Sequence, residues 1–152
     1  MTGKPYRLPE NSGAGRVIDR TKPVSFTFDG KKMSGFAGDT LASAVMASGQ
    51  RLFGRSFKYH RPRGIIGLGS EEPNALVGVG EGSRHEPNLR ATQVELYDGL
   101  AAVSQNRWPN LNYDIGAVNS RLSRMIPGGF YYKTFMWPQS FWKTVYEPTI
   151  RN

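Results

Sequence analysis

The chain has 152 residues, enough for one domain with extensions, and a formal net charge of +8 at pH 7. It contains no cysteine, which excludes disulfides, thiolate metal sites and cysteine nucleophiles. Its two histidines, His60 and His85, cannot make a zinc site by themselves. The positive charge suits nucleic acid, an anionic membrane surface or an acidic protein partner, and does not choose between them.

The first twenty residues are polar and basic without periodicity, and we interpret residues 1–20 as an extended arm. They lack the apolar core of a signal peptide, and no apolar run in the chain approaches the ~20 residues that a transmembrane helix needs. The expectation is therefore a cytoplasmic protein with no membrane partner.

Residues 24–47 predict a hairpin followed by a helix. Val24, Phe26 and Phe28 alternate with polar residues, which is the period of a half-buried strand, and Asp29-Gly30 suits a two-residue turn before the returning strand 31–36. Asp39 or Thr40 can cap the helix that follows, and Gly49 can end it.

Three further strands are predicted, over residues 75–79, 92–97 and 100–104, with Asp98-Gly99 as the turn between the last two. The order of strand, strand, helix, loop and three strands is typical of an α+β fold of the β-grasp type, a small mixed sheet crossed by one short helix, as in ferredoxins and ubiquitin. We assign residues 21–108 to this domain.

The remaining residues, 109–152, are predicted to be an aromatic docking tail. Eight aromatic residues lie between Phe130 and Tyr146, Trp137 and Trp142 among them, and Pro127, Pro138 and Pro148 lie within or beside this run. No helix or strand period fits it throughout, although residues 119–125 suit one short helix. A segment this aromatic needs a surface to dock on, which is its own domain, another domain or a partner subunit.

The stretch RSFKYHRPRGIIGLGSEEPNALVGVG resembles the loop that wraps an iron–sulfur cluster in plant-type ferredoxins. The ligand spacing of that loop, C-x4-C-x2-C with a fourth cysteine further on, falls here on Ile66, Glu71, Asn74 and Thr92. Iron in such clusters prefers thiolate, and Ile66 cannot ligate at all. We therefore predict a domain without a 2Fe-2S cluster and without another metal, in which a buried Ile66 replaces the lost cluster contacts.

A basic cluster with interleaved aromatic residues precedes this loop. Three interpretations remain open: a solvated or internally paired face, a contact with a partner chain or an anionic cofactor, and a nucleic-acid surface. The cluster consists of Arg51, Arg55, Lys58, His60, Arg61 and Arg63. His60 is more often a structural hydrogen bonder than a general base in such a setting, and no catalytic constellation is present in the sequence.

Two long motifs, GRSFKYHRPRGI and EEPNALV, resemble the N-terminal region of the alpha chains of heterotetrameric sarcosine oxidases. The flanks GRVIDRTKPVSFTFDG and FYYKTFMWPQSFWKTVYEPTIRN extend the resemblance over roughly residues 16–152. In that family a cysteine-free ferredoxin-like domain precedes a dinucleotide-binding domain, which this chain lacks, and an aromatic tail links the two. Related amine dehydrogenase and cyanide synthase chains keep the cysteines and the cluster.

The resemblance implies a non-catalytic structural and interaction domain in a larger enzyme. The parent complex would demethylate sarcosine oxidatively with O2, giving glycine, H2O2 and 5,10-methylenetetrahydrofolate. FAD, FMN, NAD and tetrahydrofolate would belong to that complex, and none to this segment alone. The implied partners are the downstream domains of the same alpha chain and the beta, gamma and delta subunits, with an interface that includes Arg55, Lys58, His60, Arg61, Arg63, Trp137 and Trp142.

Two alternatives stay open from the sequence. The same architecture could act on another N-methylated or secondary amine, because nothing in this segment discriminates between amine substrates. The chain could also be a free-standing basic module that binds nucleic acid, although the resemblance favours an interface without nucleic acid.

Overall fold

The computed structural model describes residues 7–123 and 139–147, and within them a five-stranded mixed sheet is the central element. The strand order is β2-β1-β7-β5-β6, and a separate two-stranded ribbon is formed by β3 and β4. The strands are β1 (Asp19–Phe28), β2 (Lys31–Ala37), β3 (Gly54–Arg55), β4 (Pro62–Arg63), β5 (Leu76–Val79), β6 (Glu86–Arg90) and β7 (Leu100–Ser104). The helices are α1 (Leu41–Ala47) and α2 (Val118–Arg121). This is the α+β, β-grasp fold that the sequence predicted.

The predicted hairpin is confirmed as β1 and β2. They pair antiparallel with Phe26 opposite Met33, and the turn residues Asp29 and Gly30 both have positive φ, at 50° and 74°. Two consecutive positive φ values match the twist of the flanking strands, which is why Asp-Gly is favoured there. β1 begins at Asp19, inside the stretch that was expected to be an arm.

The predicted helix is confirmed as α1. Thr40 is its N-cap, with a capping box in which the Thr40 and Ser43 side chains each accept a hydrogen bond from the other's backbone N–H. Two further N–H groups of the first turn find partners outside the helix, because Leu41 N donates to Val94 O and Ala42 N to Ala91 O. After the helix, Gly49 has the left-handed conformation expected of a terminating glycine, at φ 87°.

The strand predicted over residues 92–97 is wrong. The segment forms turns. The carbonyl of Val94, with that of Ala91 just before the segment, caps α1 instead of joining a sheet ladder, and Glu95 makes an isolated bridge to Thr40. Val94 and Leu96 still face the core, which explains the alternating apolar pattern without a strand. The hairpin expected with β7 is therefore absent, and β7 pairs parallel with β1 and antiparallel with β5.

The sequence pattern missed strand β6, which pairs antiparallel with β5. Its sequence EPNLR lacks apolar alternation and contains Pro87 and a left-handed Asn88, at φ 63°. Both features are tolerated because β6 is the edge of the sheet, where a missing N–H breaks no inner ladder. The strands predicted over 75–79 and 100–104 are confirmed as β5 and β7.

The core lies between α1 and the sheet, and Phe28 and Phe53 are its largest fully buried side chains, with ring centroids 5.8 Å apart. Leu111 is also buried, at 3% exposure, and belongs to the same cluster. The first part of the expected docking tail thus packs on the domain itself. The other buried apolar residues are Phe26, Leu41, Ala42, Ala44, Val45, Ala75, Val77, Ala91, Leu96, Leu100 and Ala102.

Asp39 joins the N-terminal arm to this body. Its carboxylate has no exposed side-chain surface and accepts two hydrogen bonds from the Arg7 guanidinium, at 3.1 and 2.7 Å. Burial opposes ionisation, but Arg7, the Ser43 hydroxyl and the Phe36 N–H outweigh it and hold the pKa of Asp39 below its usual range.

Residues 139–147, the described part of the aromatic run that begins at Phe130, are helical in short turns. Trp142 is 45% exposed there, and its ring lies 6.5 Å from that of Tyr146. Trp137 lies outside the described residues, as does most of the aromatic run. The short helix expected over 119–125 begins slightly earlier, as α2. Within the ranges that the structure describes, no helix is long and apolar enough to cross a membrane.

Candidate functional site

The loop that resembles a cluster-binding loop is organised around a buried carboxylate. Glu72 has no exposed surface, and its two oxygens accept four backbone N–H groups. Oε2 accepts from Ile66 at 2.8 Å and Gly67 at 2.6 Å, and Oε1 accepts from Asn74 at 2.6 Å and Ala75 at 3.0 Å. One side chain therefore ties the first half of the loop to the second.

Among the described residues, backbone N–H groups are what stabilise this carboxylate. No Lys, Arg or His within the described ranges lies within 4 Å of it. Burial works against the charged form, yet the N–H groups of Gly67, Asn74, Ile66 and Ala75 outweigh it and lower the pKa of Glu72 below its usual value. Glu72 is thus an anion held at the centre of the loop at neutral pH.

The four positions that align with cluster ligands do not fit a 2Fe-2S cluster. Ile66 offers no donor atom, and Glu71 is exposed. The Asn74 side-chain oxygen accepts a hydrogen bond from Arg63, and the Thr92 hydroxyl donates to Gly69 O at 2.6 Å. Among the described residues, no group of three or more acidic or histidine side chains could hold a metal ion.

The expected burial of Ile66 is wrong. Its side chain is 75% exposed, and its backbone N–H, rather than its side chain, holds the loop through Glu72. The buried group is polar and lies one residue after the predicted ligand position Glu71. Sequence reasoning missed Glu72 because adjacent glutamates are indistinguishable by type, and only the loop geometry decides which one turns inward.

We expect Ile66→Ser to change the free energy of unfolding by less than about 0.5 kcal/mol, the usual range for an exposed substitution. The variant keeps the N–H that Glu72 accepts from. Urea unfolding of the variant beside the parent chain measures the difference. A loss of several kcal/mol would mean that the side chain is buried after all.

Five of the six residues of the basic cluster, all but Arg51, lie on the β3–β4 ribbon and its connecting turn, residues 56–61. Ser56 N donates to Arg61 O, His60 N donates to Ser56 O, and the Ser56 hydroxyl accepts from Arg61 N. The turn requires a left-handed residue at His60, with φ 51°. Phe57 and Tyr59 both lie in this turn.

Arg55 and His60 face the protein interior. The Arg55 guanidinium donates to Leu111 O through Nε and Nη2, at 3.0 and 2.9 Å, and to His60 O through Nη1 at 2.8 Å. Asp114, with no exposed side-chain surface, lies 2.6 Å from His60 Nδ1 and 3.4 Å from Arg55 Nε. Asp114 also accepts from Trp108 N at 2.9 Å. These contacts tie the ribbon to the 108–116 segment.

Lys58, Arg61 and Arg63 instead line an open cleft of about 630 Å³. The Lys58 ammonium and the Arg61 guanidinium both lie over the Tyr59 ring, 4.9 and 4.7 Å from its centroid, and Arg63 donates to Asn74. The remaining lining residues come from the ribbon, the cluster-type loop and the end of β7: Gly54, Arg55, Ser56, Phe57, Ile66, Pro73, Leu76, Gln105 and Asn106. The sixth member of the cluster, Arg51, is exposed outside this cleft.

The fold and the loop define a ferredoxin-like domain. The family model described as a 2Fe-2S iron-sulfur cluster binding domain matches residues 21–107, and the chain belongs to this family. It is a member without cysteine, in which Glu72 lies between the second and third ligand positions.

The chain is also homologous to sarcosine oxidase alpha subunits. It is 62% identical to sarcosine oxidase subunit alpha of Rhizobium meliloti (strain 1021) over 147 residues, which is 97% of this chain and 14% of that protein. It is 46% identical to the subunit of the same name from Corynebacterium sp. (strain U-96) over 105 residues, 66% of this chain and 11% of that protein. The chain thus spans less than a fifth of these relatives.

Among solved structures, the chain is similar to L-proline dehydrogenase from P. horikoshii, with a TM-score of 0.48 and 22% identity. That match covers 63% of this chain and 18% of the other.

Proposed function

We propose that the chain serves as a non-catalytic structural and interaction domain of a sarcosine oxidase alpha subunit. The observation that carries the proposal is the loop, in which Glu72 holds together a fold element that relatives with cysteines use for a cluster. The identity of 62% over 97% of the chain supports the choice of enzyme. Without thiolates the domain would hold no cluster to carry electrons. Its role would be to maintain the structure of the subunit and to contact its neighbours.

The parent complex would oxidise the N-methyl group of sarcosine with O2, giving glycine, H2O2 and 5,10-methylenetetrahydrofolate. FAD, FMN, NAD and tetrahydrofolate would be bound by other domains of the alpha chain and by the beta, gamma and delta subunits. The domain arrangement we propose is an arm over 1–20, the ferredoxin-like domain over 21–108 and a linking tail over 109–152, in a cytoplasmic complex. In this arrangement the tail precedes a dinucleotide-binding domain.

Exposed apolar side chains support an interaction role. Ile66 and Leu68, on the cluster-type loop, are 75% and 82% exposed, and Trp142 in the tail is 45% exposed. Large apolar groups left in water at these positions are typical of surfaces that dock on a neighbour. We assign them, with Trp137, Lys58, Arg61 and Arg63, to a contact with other domains and subunits or with an anionic cofactor held at that contact.

Purification of the full-length protein from its native source with whatever binds it tests this function. We expect a flavin-bearing complex that produces H2O2 from sarcosine, while the 152-residue chain alone produces none. A panel of N-methylated and secondary amines decides between sarcosine and the alternative substrates. Iron in stoichiometric amount with this segment, or turnover by the segment alone, would contradict a non-catalytic role.

A further inference from the structure

The ribbon cleft is formed by the β3–β4 ribbon, its turn and the cluster-type loop. It is large enough for a small molecule, and the charged side chains that line it are all positive. Its volume of about 630 Å³ lies within the 300–1,000 Å³ that small-molecule sites occupy. Four cationic side chains line it, Arg55, Lys58, Arg61 and Arg63, and none of its lining residues is Asp or Glu. Such a cleft concentrates positive potential and attracts anions.

The cations differ in how far they are already neutralised. Arg55 is balanced by the buried Asp114 and fixed by two carbonyls, so it forms a rigid wall. Arg61 and Arg63, by contrast, have no carboxylate within ion-pair distance in the part of the chain that the structure describes. Their charge remains available to a ligand.

The same two arginines are partly positioned before any ligand arrives. Arg61 stacks on Tyr59, and one amino group of Arg63 is held by Asn74. A guanidinium that is already oriented loses less conformational entropy when it binds, and its planar fork matches two oxygens of a phosphate.

The remaining walls suit the uncharged part of a ligand. Phe57 and Tyr59 supply aromatic surface, and Gln105 and Asn106 supply amide groups at the end of β7. A cleft of this size fits one small molecule better than the long, continuous track that a nucleic-acid strand needs.

We propose that the ribbon cleft is a binding site for a phosphate-bearing small ligand, with Arg61 and Arg63 as its phosphate contacts. This site is independent of the sarcosine oxidase assignment, since it depends only on residues of the ribbon and the loop. The phosphate can come from a nucleotide or from free pyrophosphate, which share the same recognition chemistry.

Isothermal titration of the 152-residue chain with inorganic pyrophosphate and with ADP at low salt tests the site. We expect the double substitution Arg61→Gln and Arg63→Gln to weaken binding at least tenfold. The matched control, Arg16→Gln with Arg90→Gln, removes the same charge from exposed positions outside the cleft and should bind within twofold of the parent chain.

The two probes separate the sources of the phosphate: tighter binding of ADP identifies a nucleotide, and equal binding identifies the phosphate group alone. Thermal melting monitors folding, and the single substitution Arg61→Gln stands in if the double variant melts early. Equal losses in both double variants, no binding of either probe at millimolar concentration, or tighter binding of a long single-stranded oligonucleotide would overturn the proposal.

Discussion

Glu72→Gln should destabilise the domain by roughly 3 kcal/mol or more, because leaving a buried hydrogen-bonding group unsatisfied costs ~1–3 kcal/mol. The glutamine side chain has one oxygen and one amino group in place of two oxygens. The amino group would face two backbone N–H groups, either those of Ile66 and Gly67 or those of Asn74 and Ala75. Two N–H donors would then lose their acceptor in a site without exposed surface.

The neighbouring residue supplies a matched control. Glu71→Gln makes the same chemical change one position earlier, at an exposed side chain, and should shift the free energy of unfolding by less than about 0.5 kcal/mol. Urea unfolding of both variants measures the difference. Equal effects of the two substitutions would show that Glu72 does not organise the loop.

The same substitution should change the response to acid. The folded-state pKa of Glu72 is lowered from an ordinary value of 4.5, so its contribution to stability is complete above about that pH and is lost as pH falls below it, through the folded-state pKa. Glu72→Gln has no such group, and its unfolding free energy should fall less steeply than that of the parent chain below pH 4.5. The pKa of Asp39 is also lowered, but Asp39 titrates in both proteins and does not contribute to the difference between them. Equal pH dependence of the unfolding free energy in the two proteins would contradict the role assigned to Glu72.

The parts of the fold that follow local rules were predictable from sequence. The β1–β2 hairpin follows from strict alternation and Asp-Gly, and α1 follows from a capping residue and an apolar face. In both cases the information lies within a few neighbouring residues, where propensity and pattern agree.

The parts that depend on distant segments were not predictable. The 92–97 segment has the pattern of a strand but caps α1, because the Val94 carbonyl accepts from the otherwise unpaired Leu41 N–H, more than fifty residues earlier in the chain. β6 has no strand pattern in its sequence. It is a strand because its backbone pairs with the free edge of β5. Hydrophobic periodicity indicates which residues face the core, but it does not indicate which groups the backbone hydrogen-bonds to.

The candidate site shows the same division. The spacing of cluster ligands drew attention to the loop, but the buried group that organises it, Glu72, lies between the aligned positions. The basic cluster was visible in the sequence as one feature. Its division into the residues that contact Asp114, Arg55 and His60, and the other cations of the cleft depends on a side chain more than fifty positions away.

Asp114→Asn should cost about 3–5 kcal/mol of stability, the range for breaking a buried ion pair by removing one partner. The asparagine can still accept from Trp108 N, so this hydrogen bond survives. The substitution removes the negative charge next to Arg55, which is only 10% exposed and has two carbonyls as its other partners. An uncompensated guanidinium would then remain in the interior.

The loss of stability in Asp114→Asn should be largest in the β3–β4 ribbon. Gly116 packs so close to the His60 ring that a Cβ there would lie 2.4 Å from it, so the ring cannot shift toward the 108–116 segment to find another partner. We therefore expect faster amide exchange over residues 54–63 in the variant, while β1 and β7 keep their protection.

Urea unfolding and hydrogen exchange of Asp114→Asn, with the exposed Glu81→Gln as the charge control, measure both effects. A loss below 1 kcal/mol would mean that water reaches Arg55 and that the ribbon is held by its carbonyl contacts alone. The outcome also bears on the ribbon cleft, because Arg55 is one of its walls. If the ribbon loosens in the variant, Arg61 and Arg63 lose the rigid frame that presents them, and phosphate binding should weaken although neither arginine has changed.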